Sequence, residues 1–127
     1  MTITPINSDQ APLTSGNYSQ ATLLEGYKRL LFISGQIPET VDGFTPSDFK
    51  SQCELAWENI KAQLHAADMT ISNLVKITTF LSSRDYGTEN SEVRQRVLGS
   101  HAPSLTVIIT GIYDESWLLE IEAIAAE

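Results

Sequence analysis

Leu30-Leu31-Phe32-Ile33 is apolar at every position, so an extended backbone there presents hydrophobic side chains on both of its faces. A strand of this kind must be covered on both sides. Ser104–Tyr113 and Trp117–Ala125 are also largely apolar on both faces. Helices on one side of a sheet built from such strands cannot bury everything, which argues for a sheet that packs against copies of itself. An oligomer is expected.

The 127 residues amount to one domain, 1–127, with no linker-like stretch and no internal repeat. Sixteen Asp and Glu against eight Lys and Arg give a formal charge of -8, so the average surface repels phosphate backbones and no nucleic-acid partner is expected. The compact basic groups, Lys28-Arg29 and Arg94-x-Arg96, have no interleaved aromatics to stack bases. Cys53 is the single cysteine, which excludes an intrachain disulfide and fits a reducing cytoplasm. The N-terminus lacks the basic start and apolar core of a signal peptide, and no apolar run approaches the roughly 18 residues of a membrane span. A cytoplasmic protein without a membrane partner is expected.

The first sixteen residues read as a polar, proline-containing lead-in. Tyr18–Glu25 and Arg29–Ser34 are β-prone runs separated by Glu25-Gly26-Tyr27-Lys28, which predicts a hairpin with glycine in its turn. Thr45-Pro46-Ser47-Asp48 then offers an N-cap hydroxyl, a proline at the first helical position and an early carboxylate for the helix dipole. From Phe49, the residues Cys53, Ala56, Trp57, Ile60, Leu64 and Ala67 recur at spacings of three and four, opposite Lys50, Glu54, Glu58 and Lys61. Asn73–Ser82 is β-branched and reads as a strand, Asp85–Leu98 as a weaker helix. The last two apolar strands are joined by a turn at Asp114-Glu115-Ser116, and the order is β-β-α-β-α-β-β.

Gly-rich phosphate loops, nucleophile elbows and His-Glu-x-x-His zinc motifs are all missing. His65 and His101 each lack a second ligand nearby in sequence and read as surface or helix-end residues, so no metal is expected. Cys53 and Trp57 lie on the apolar stripe and read as core. The informative pair is Glu120 and Glu122, which alternation places on one strand face with Leu118 and Ile124. On a partly buried face two carboxylates hold a proton more tightly, as a general acid or base near neutral pH requires; on a solvated edge strand they do not. Alternation alone does not choose between the two.

Asn17-Tyr18-Ser19-Gln20, Ile33-Ser34-Gly35-Gln36-Ile37-Pro38 and Glu120-Ile121-Glu122-Ala123-Ile124-Ala125 resemble, in order and spacing, motifs of the RidA family, the YjgF-like reactive intermediate deaminases. Leu74–Phe80 and Asp85–Asn90 look like that family's central strand and the start of its second helix, so the resemblance covers nearly the whole chain. It implies a chorismate-mutase-like α+β fold, a mixed sheet with two helices on one face, assembled as a homotrimer with small-molecule clefts between subunits. Deaminase-type members hydrolyse enamines and 2-imino acids to 2-keto acids and ammonia without a cofactor. By residue match, Glu120 would activate the attacking water, Tyr18 would line the pocket and contact the substrate, and Ser34 with Gly35 would shape its wall. Glu122 would be structural.

Where deaminase-type members carry Pro-x-Arg-Ser, this chain reads Pro103-Ser104-Leu105-Thr106. The missing arginine would clamp a substrate carboxylate with paired charge-assisted hydrogen bonds, which Leu105 cannot do. Val107 and Ile109 follow Leu105 on the same face of the strand, so the cleft wall reads as apolar and suited to a neutral or aromatic ligand, with Leu105, Thr106 and Val107 as the substrate-binding residues of this stretch. Arg94 or Arg96 could stand in from the second helix, although a helix-surface arginine is ordinarily a solvated charge. Two readings result. One is hydrolysis of an imine, enamine or related C=N compound to a carbonyl plus ammonia; the other is a non-catalytic trimer that binds a small hydrophobic metabolite or a protein partner. The family's endoribonuclease labels offer a third, against which the charge of -8 weighs.

Overall fold

Six strands and two α-helices follow one another along residues 1–127 of the computed structural model: β1 (Thr2–Ile6), β2 (Ala21–Glu25), β3 (Leu30–Gln36), α1 (Phe49–Ala66), β4 (Leu74–Leu81), α2 (Gly87–Leu98), β5 (Ser104–Ile109) and β6 (Leu119–Ala126). Single 3-10 turns at Ile71–Asn73 and Arg84–Tyr86 lead into β4 and α2. The main sheet has the order β3-β6-β4-β5, with β4 and β5 parallel and β6 antiparallel to both of its neighbours. Parallel neighbours need a crossover, and α2 supplies it between β4 and β5. The result is an α+β mixed sheet, as expected.

Helix α1 buries the stripe read from the sequence: Phe49, Cys53, Ala56, Trp57, Ile60 and Leu64 are all in the core. Alternation in β6 sends Leu119, Ile121, Ala123 and Ala125 to the same core, joined by Leu74, Ile77 and Leu81 of β4 and by Val93 and Leu98 of α2. Both helices thus serve one face of the sheet. The other face is uncovered in the chain. It carries Leu30 and Phe32 of β3 and Ile108 of β5, with Phe32 71% exposed, an apolar surface that a stable protein does not ordinarily leave to water. No helix is long and apolar enough to cross a membrane.

Several local expectations are corrected. The lead-in is partly a strand: β1 pairs antiparallel with β2, from Thr2 opposite Glu25 to Ile6 opposite Ala21. Pro5 is tolerated because this two-stranded ribbon leaves β1 as an edge. The hairpin between β2 and the following strand does not form. Gly26 turns the chain with φ +66°, but β3 leaves β2 and joins β6, Phe32 opposite Ile124 and Ile33 opposite Ala123. An apolar two-faced strand gains more beside the apolar β6 than beside β2, whose side chains are alternately exposed.

Helix α1 starts one turn later than Pro46 suggested. Asp48 is the N-cap, its Oδ2 accepting from Ser51 N at 2.9 Å, and this hydrogen bond holds the Asp48 carboxyl below its usual range. The penultimate strand ends at Ile109 rather than Tyr113, and the last begins at Leu119 rather than Trp117. The intervening segment contains the expected turn, with Ser116 N donating to Asp114 Oδ1 at 2.8 Å. It is secured from α1 by Gln52, a residue the apolar pattern passed over. Buried Gln52 donates to Pro46 O at 2.7 Å and Ser116 O at 2.9 Å, and accepts from Leu118 N at 2.8 Å.

Replacing Gln52 with Ala leaves a backbone N–H and two carbonyls without these partners, so Gln52→Ala should lower the unfolding free energy by about 2–4 kcal/mol. Urea denaturation of the two proteins measures it; an unchanged midpoint would show that the 114–118 segment does not need this anchor.

Candidate active site

Glu120 enters from the centre of the sheet, on the face the helices do not cover. In β6 it stands opposite Phe80 of β4, two residues before the exposed Glu122, which stands opposite Thr78. Half burial pushes the Glu120 carboxyl above the usual carboxylate range, and the negative charge of Glu122 adds to the shift. Of the two readings left open for this pair, partial burial is found for Glu120 and solvent exposure for Glu122, on a central and not an edge strand. Leu118 is not part of the strand; it is held in the preceding loop by Gln52.

On the other side of β6, the register with β3 shifts between Ile33 and Gln36, and Gly35 sits in the shifted stretch. A Cβ added to Gly35 would overlap Glu120 Oε2 and stand 2.7 Å from its Cδ. Only glycine lets the carboxylate lie flat against the β3 backbone. The Ile-Ser-Gly-Gln stretch and the terminal Glu are therefore two parts of one arrangement. Ser34 is exposed beside it, and its carbonyl accepts from Gln36 Nε2 at 2.9 Å. Glu120 also lines an open cleft of about 630 Å³ with Phe80, Thr110, Gly111, Ile112 and Tyr113. Sequence reasoning missed the 110–113 segment because it was read as strand.

Tyr18, Leu105 and Val107 do not reach this cleft. They line a second one, of about 330 Å³, together with Asn90, Ser91 and Arg94 of α2. The two clefts share no residue, so within a single chain the expected site is divided. Leu105 and Val107 alternate onto the α2 side of β5, while Thr106 lies on the other side, where its hydroxyl accepts from Lys76 Nζ at 2.7 Å. Thr106 therefore belongs to the sheet's uncovered face and not to the wall formed by Leu105 and Val107. Tyr18 is placed by its neighbours: Ser19 N donates to Pro103 O at 3.1 Å and Ser19 Oγ to Ala102 O, tying the segment to the start of β5.

Arg94 departs most from expectation. It is 4% exposed, not a solvated surface charge, and burial pulls its pKa down. Arg96, two positions on, is exposed. Buried Asn90 sits one turn before Arg94, with Cys53 Sγ 3.9 Å from its Oδ1. Cys53 itself is sealed in the core, and burial pushes its thiol up to about 12, so it is not a nucleophile. His101 Nε2 lies 2.7 Å from the Leu74 carbonyl, a structural contact, and His65 is exposed near the end of α1.

The family model described as endoribonuclease L-PSP matches residues 8–127. Protein HMF1 of Saccharomyces cerevisiae is 30% identical over 127 residues, spanning 99% of this chain and 96% of that protein. TdcF of Escherichia coli K12, provisionally named a reactive intermediate deaminase, is 33% identical over 125 residues, with 94% of each chain covered. A crystal structure of E. coli TdcF with bound serine superposes with a TM-score of 0.73 at 30% identity over 98% of both chains. A Rid-family structure from Yersinia pestis reaches a TM-score of 0.86 over the whole of both chains at 22% identity, a likeness of fold.

The Gly35→Ala variant should keep the fold and displace the Glu120 side chain, because the added methyl occupies the carboxylate's position. Carboxyl chemical shifts of Glu120 as a function of pH read this directly. A Glu120 titration unchanged in Gly35→Ala would refute the contact. The raised pKa also has a stability consequence. A carboxyl raised in the folded state favours folding fully below its unfolded pKa and loses that contribution as pH rises through the folded pKa. Glu120→Gln should therefore raise Tm relative to the parent near neutral pH, with the difference closing as pH falls through the carboxylate range.

Proposed function

The chain belongs to the YjgF/RidA family, and from that premise we propose that it hydrolyses an imine or enamine to a carbonyl compound and ammonia with Glu120 as the catalytic residue. The observation that carries the reading is the Glu120 carboxylate, half-buried against Gly35 and raised in pKa at the edge of an open cleft. In its ionised form it accepts a proton from water as the oxygen bonds to the C=N carbon. That proton is passed to nitrogen to give a carbinolamine, the hydroxyl proton follows it as the C–N bond breaks, and carbonyl plus ammonia leave, so that one water is consumed per ammonia released; an enamine first takes a proton on carbon to become the imine. A base raised above the ordinary carboxylate range holds the abstracted proton more firmly than a solvated carboxylate does and so hands it on more effectively as a general acid. No step calls for a cofactor.

The assembly that goes with this reading is a homotrimer. Its support is twofold: the apolar face with Phe32 has no cover within the chain, and the expected site is split between two clefts. Contact between copies would cover the first and bring the Tyr18 side of one subunit to the Glu120 side of its neighbour. Leu105 puts no cation on β5, so substrate recognition there differs from that of relatives with arginine at this position. That apolar wall also favours the second reading, a trimer that binds a small hydrophobic metabolite without turnover. RNA cleavage is disfavoured by the formal charge of -8. A reducing compartment suits the single cysteine; some relatives are named as mitochondrial.

Ammonia release from freshly generated imines, carboxylated and neutral, tests the reaction. Glu120→Gln should lower kcat by about 10²- to 10⁴-fold, the span ordinarily lost with a general base. The acid limb of the wild-type pH profile should fall at an apparent pKa above that of an ordinary carboxylate. Binding of a ligand with no ammonia release from any imine would favour the non-catalytic reading. Light scattering should give the mass of three chains, and Phe32→Glu should dissociate them; a monomeric wild type would refute the trimer.

A further inference from the structure

A sheet fixes its strands through the hydrogen-bond ladder, and the ladder is interrupted where Gly35 meets Glu120. Between the pairs Ile33 with Ala123 and Gln36 with Ile121, two residues of β3, Ser34 and Gly35, stand against the single Glu122 of β6. Such a bulge disrupts backbone pairing locally, so other groups have to fix what the ladder does not. Here side-chain amides do it. Gln36 Nε2 donates across the bulge to Ser34 O at 2.9 Å, and Gln36 Oε1 accepts from Gln63 Nε2 of α1 at 3.3 Å. A single orientation of the Gln36 amide serves both bonds, since its donor and acceptor sit at opposite ends. One turn earlier on α1, Asn59 Nδ2 donates to Ile37 O at 2.8 Å and to Glu39 O at 3.1 Å. Pro38, buried between these two carbonyls, has no N–H to give to a ladder. Gly35 is thus gripped on the Ser34 side by Gln36 and on the Ile37 side by Asn59.

We propose that Gln36 and Asn59 are positioning residues for Glu120, holding the β3 backbone on both sides of the bulge so that Gly35 stays against the carboxylate. This rests on the reading of Glu120 as the base of a C=N hydrolysis and deepens it by naming what sets that base in place. The contact leaves no slack, because a Cβ on Gly35 would overlap Glu120 Oε2. A β3 backbone that drew back would readmit water to the side of the carboxylate from which the contact now excludes it. Gln36, Asn59 and Gln63 carry no charge, so they act on Glu120 only through where that backbone lies. The charged and titratable groups on this side of the sheet are others: Glu122 beside Glu120 on β6, Lys76 further along β4 with its Nζ donating to Thr106 Oγ1, and Tyr113 in the cleft lining. Strand β3, Leu30–Gln36, contains no ionisable side chain. The helical layer on one face of the sheet therefore reaches the acid–base group on the other through the β3 backbone.

The test follows the carboxyl chemical shift of Glu120 against pH in the full-length protein, in parallel with ammonia release from freshly generated imines. In Gln36→Met and in Asn59→Ala the Glu120 midpoint should fall by about half a pH unit or more as water returns to the carboxylate. kcat should drop by about 10-fold with KM unchanged, and the acid limb of the pH profile should move to lower pH with the midpoint. Gln63→Ala, which only frees the Gln36 amide to turn, should give a smaller shift in the same direction. Asn73→Ala removes a comparable hydrogen bond, from Asn73 Nδ2 to Ala126 O at 2.9 Å at the end of β6, and should leave the midpoint where it is. If Asn59→Ala does not fold, as circular dichroism would show, Gln36→Met and Gln63→Ala decide, since both of those sites are open to solvent at least in part. A midpoint that either folded variant, Gln36→Met or Asn59→Ala, leaves unmoved, or that Asn73→Ala moves as far, overturns the proposal. Moved midpoints with no ammonia release from any imine would sink the hydrolysis and keep the positioning. Turnover with unmoved midpoints would do the reverse.

Discussion

Strand β6 has to satisfy two faces with different chemistry, and the rest of the molecule is arranged around that requirement. One face, Leu119, Ile121, Ala123 and Ala125, is sealed by the helical layer together with the inward residues of β4. The other carries Glu120, Glu122 and Ile124 between Phe80 on one side and Phe32 on the other, with no helix to cover it. A central strand gets both of its hydrogen-bonding edges paired by β3 and β4, so its position is settled by backbone pairing before its outer face finds a partner. The outer face is then left apolar and acidic at once. That combination half-buries a carboxylate without pairing it.

The contact between Gly35 and Glu120 turns this into a site. A carboxylate on a flat sheet is ordinarily well solvated and titrates normally. Here the register shift in β3 brings backbone without a side chain directly against it, removing water from one side while providing no cation. The consequence is a base whose proton affinity is raised by desolvation first and by Glu122 second. The same argument separates the two glutamates, which are chemically identical and only two residues apart.

Arg94 follows the opposite logic at the other cleft. Burying a guanidinium without an acceptor is costly, on the order of several kcal/mol, and folded chains ordinarily avoid it by supplying a carboxylate or by letting the head reach water. The chain supplies no carboxylate and seals Nε, leaving the outer nitrogens to the cleft that Tyr18, Asn90 and Ser91 also line.

Periodicity and alternation were enough to read the helix from Phe49, the strand from Leu74, the core residues on both, and the incomplete cover of the sheet, because burial periods of 3.6 and 2 are local properties of the chain. Motif spacing was enough to single out Tyr18, Gly35 and Glu120. Strand partnership was not legible: Gly26 marks a turn, yet β3 chooses β6, some ninety residues away, over adjacent β2, a choice made by competing non-local apolar contacts. Nor was the reason for Gly35, which exists only once β3 and β6 are side by side. Arg94 is the sharpest case. On a helix of low hydrophobicity an arginine looks solvated, and its burial depends on Tyr18, Leu105 and the 15–18 segment arriving from three distant parts of the chain. Which residues are apolar is written along the sequence, but which charges are stripped of water depends on what the fold brings over them, since desolvation is a property of the surroundings and not of the residue.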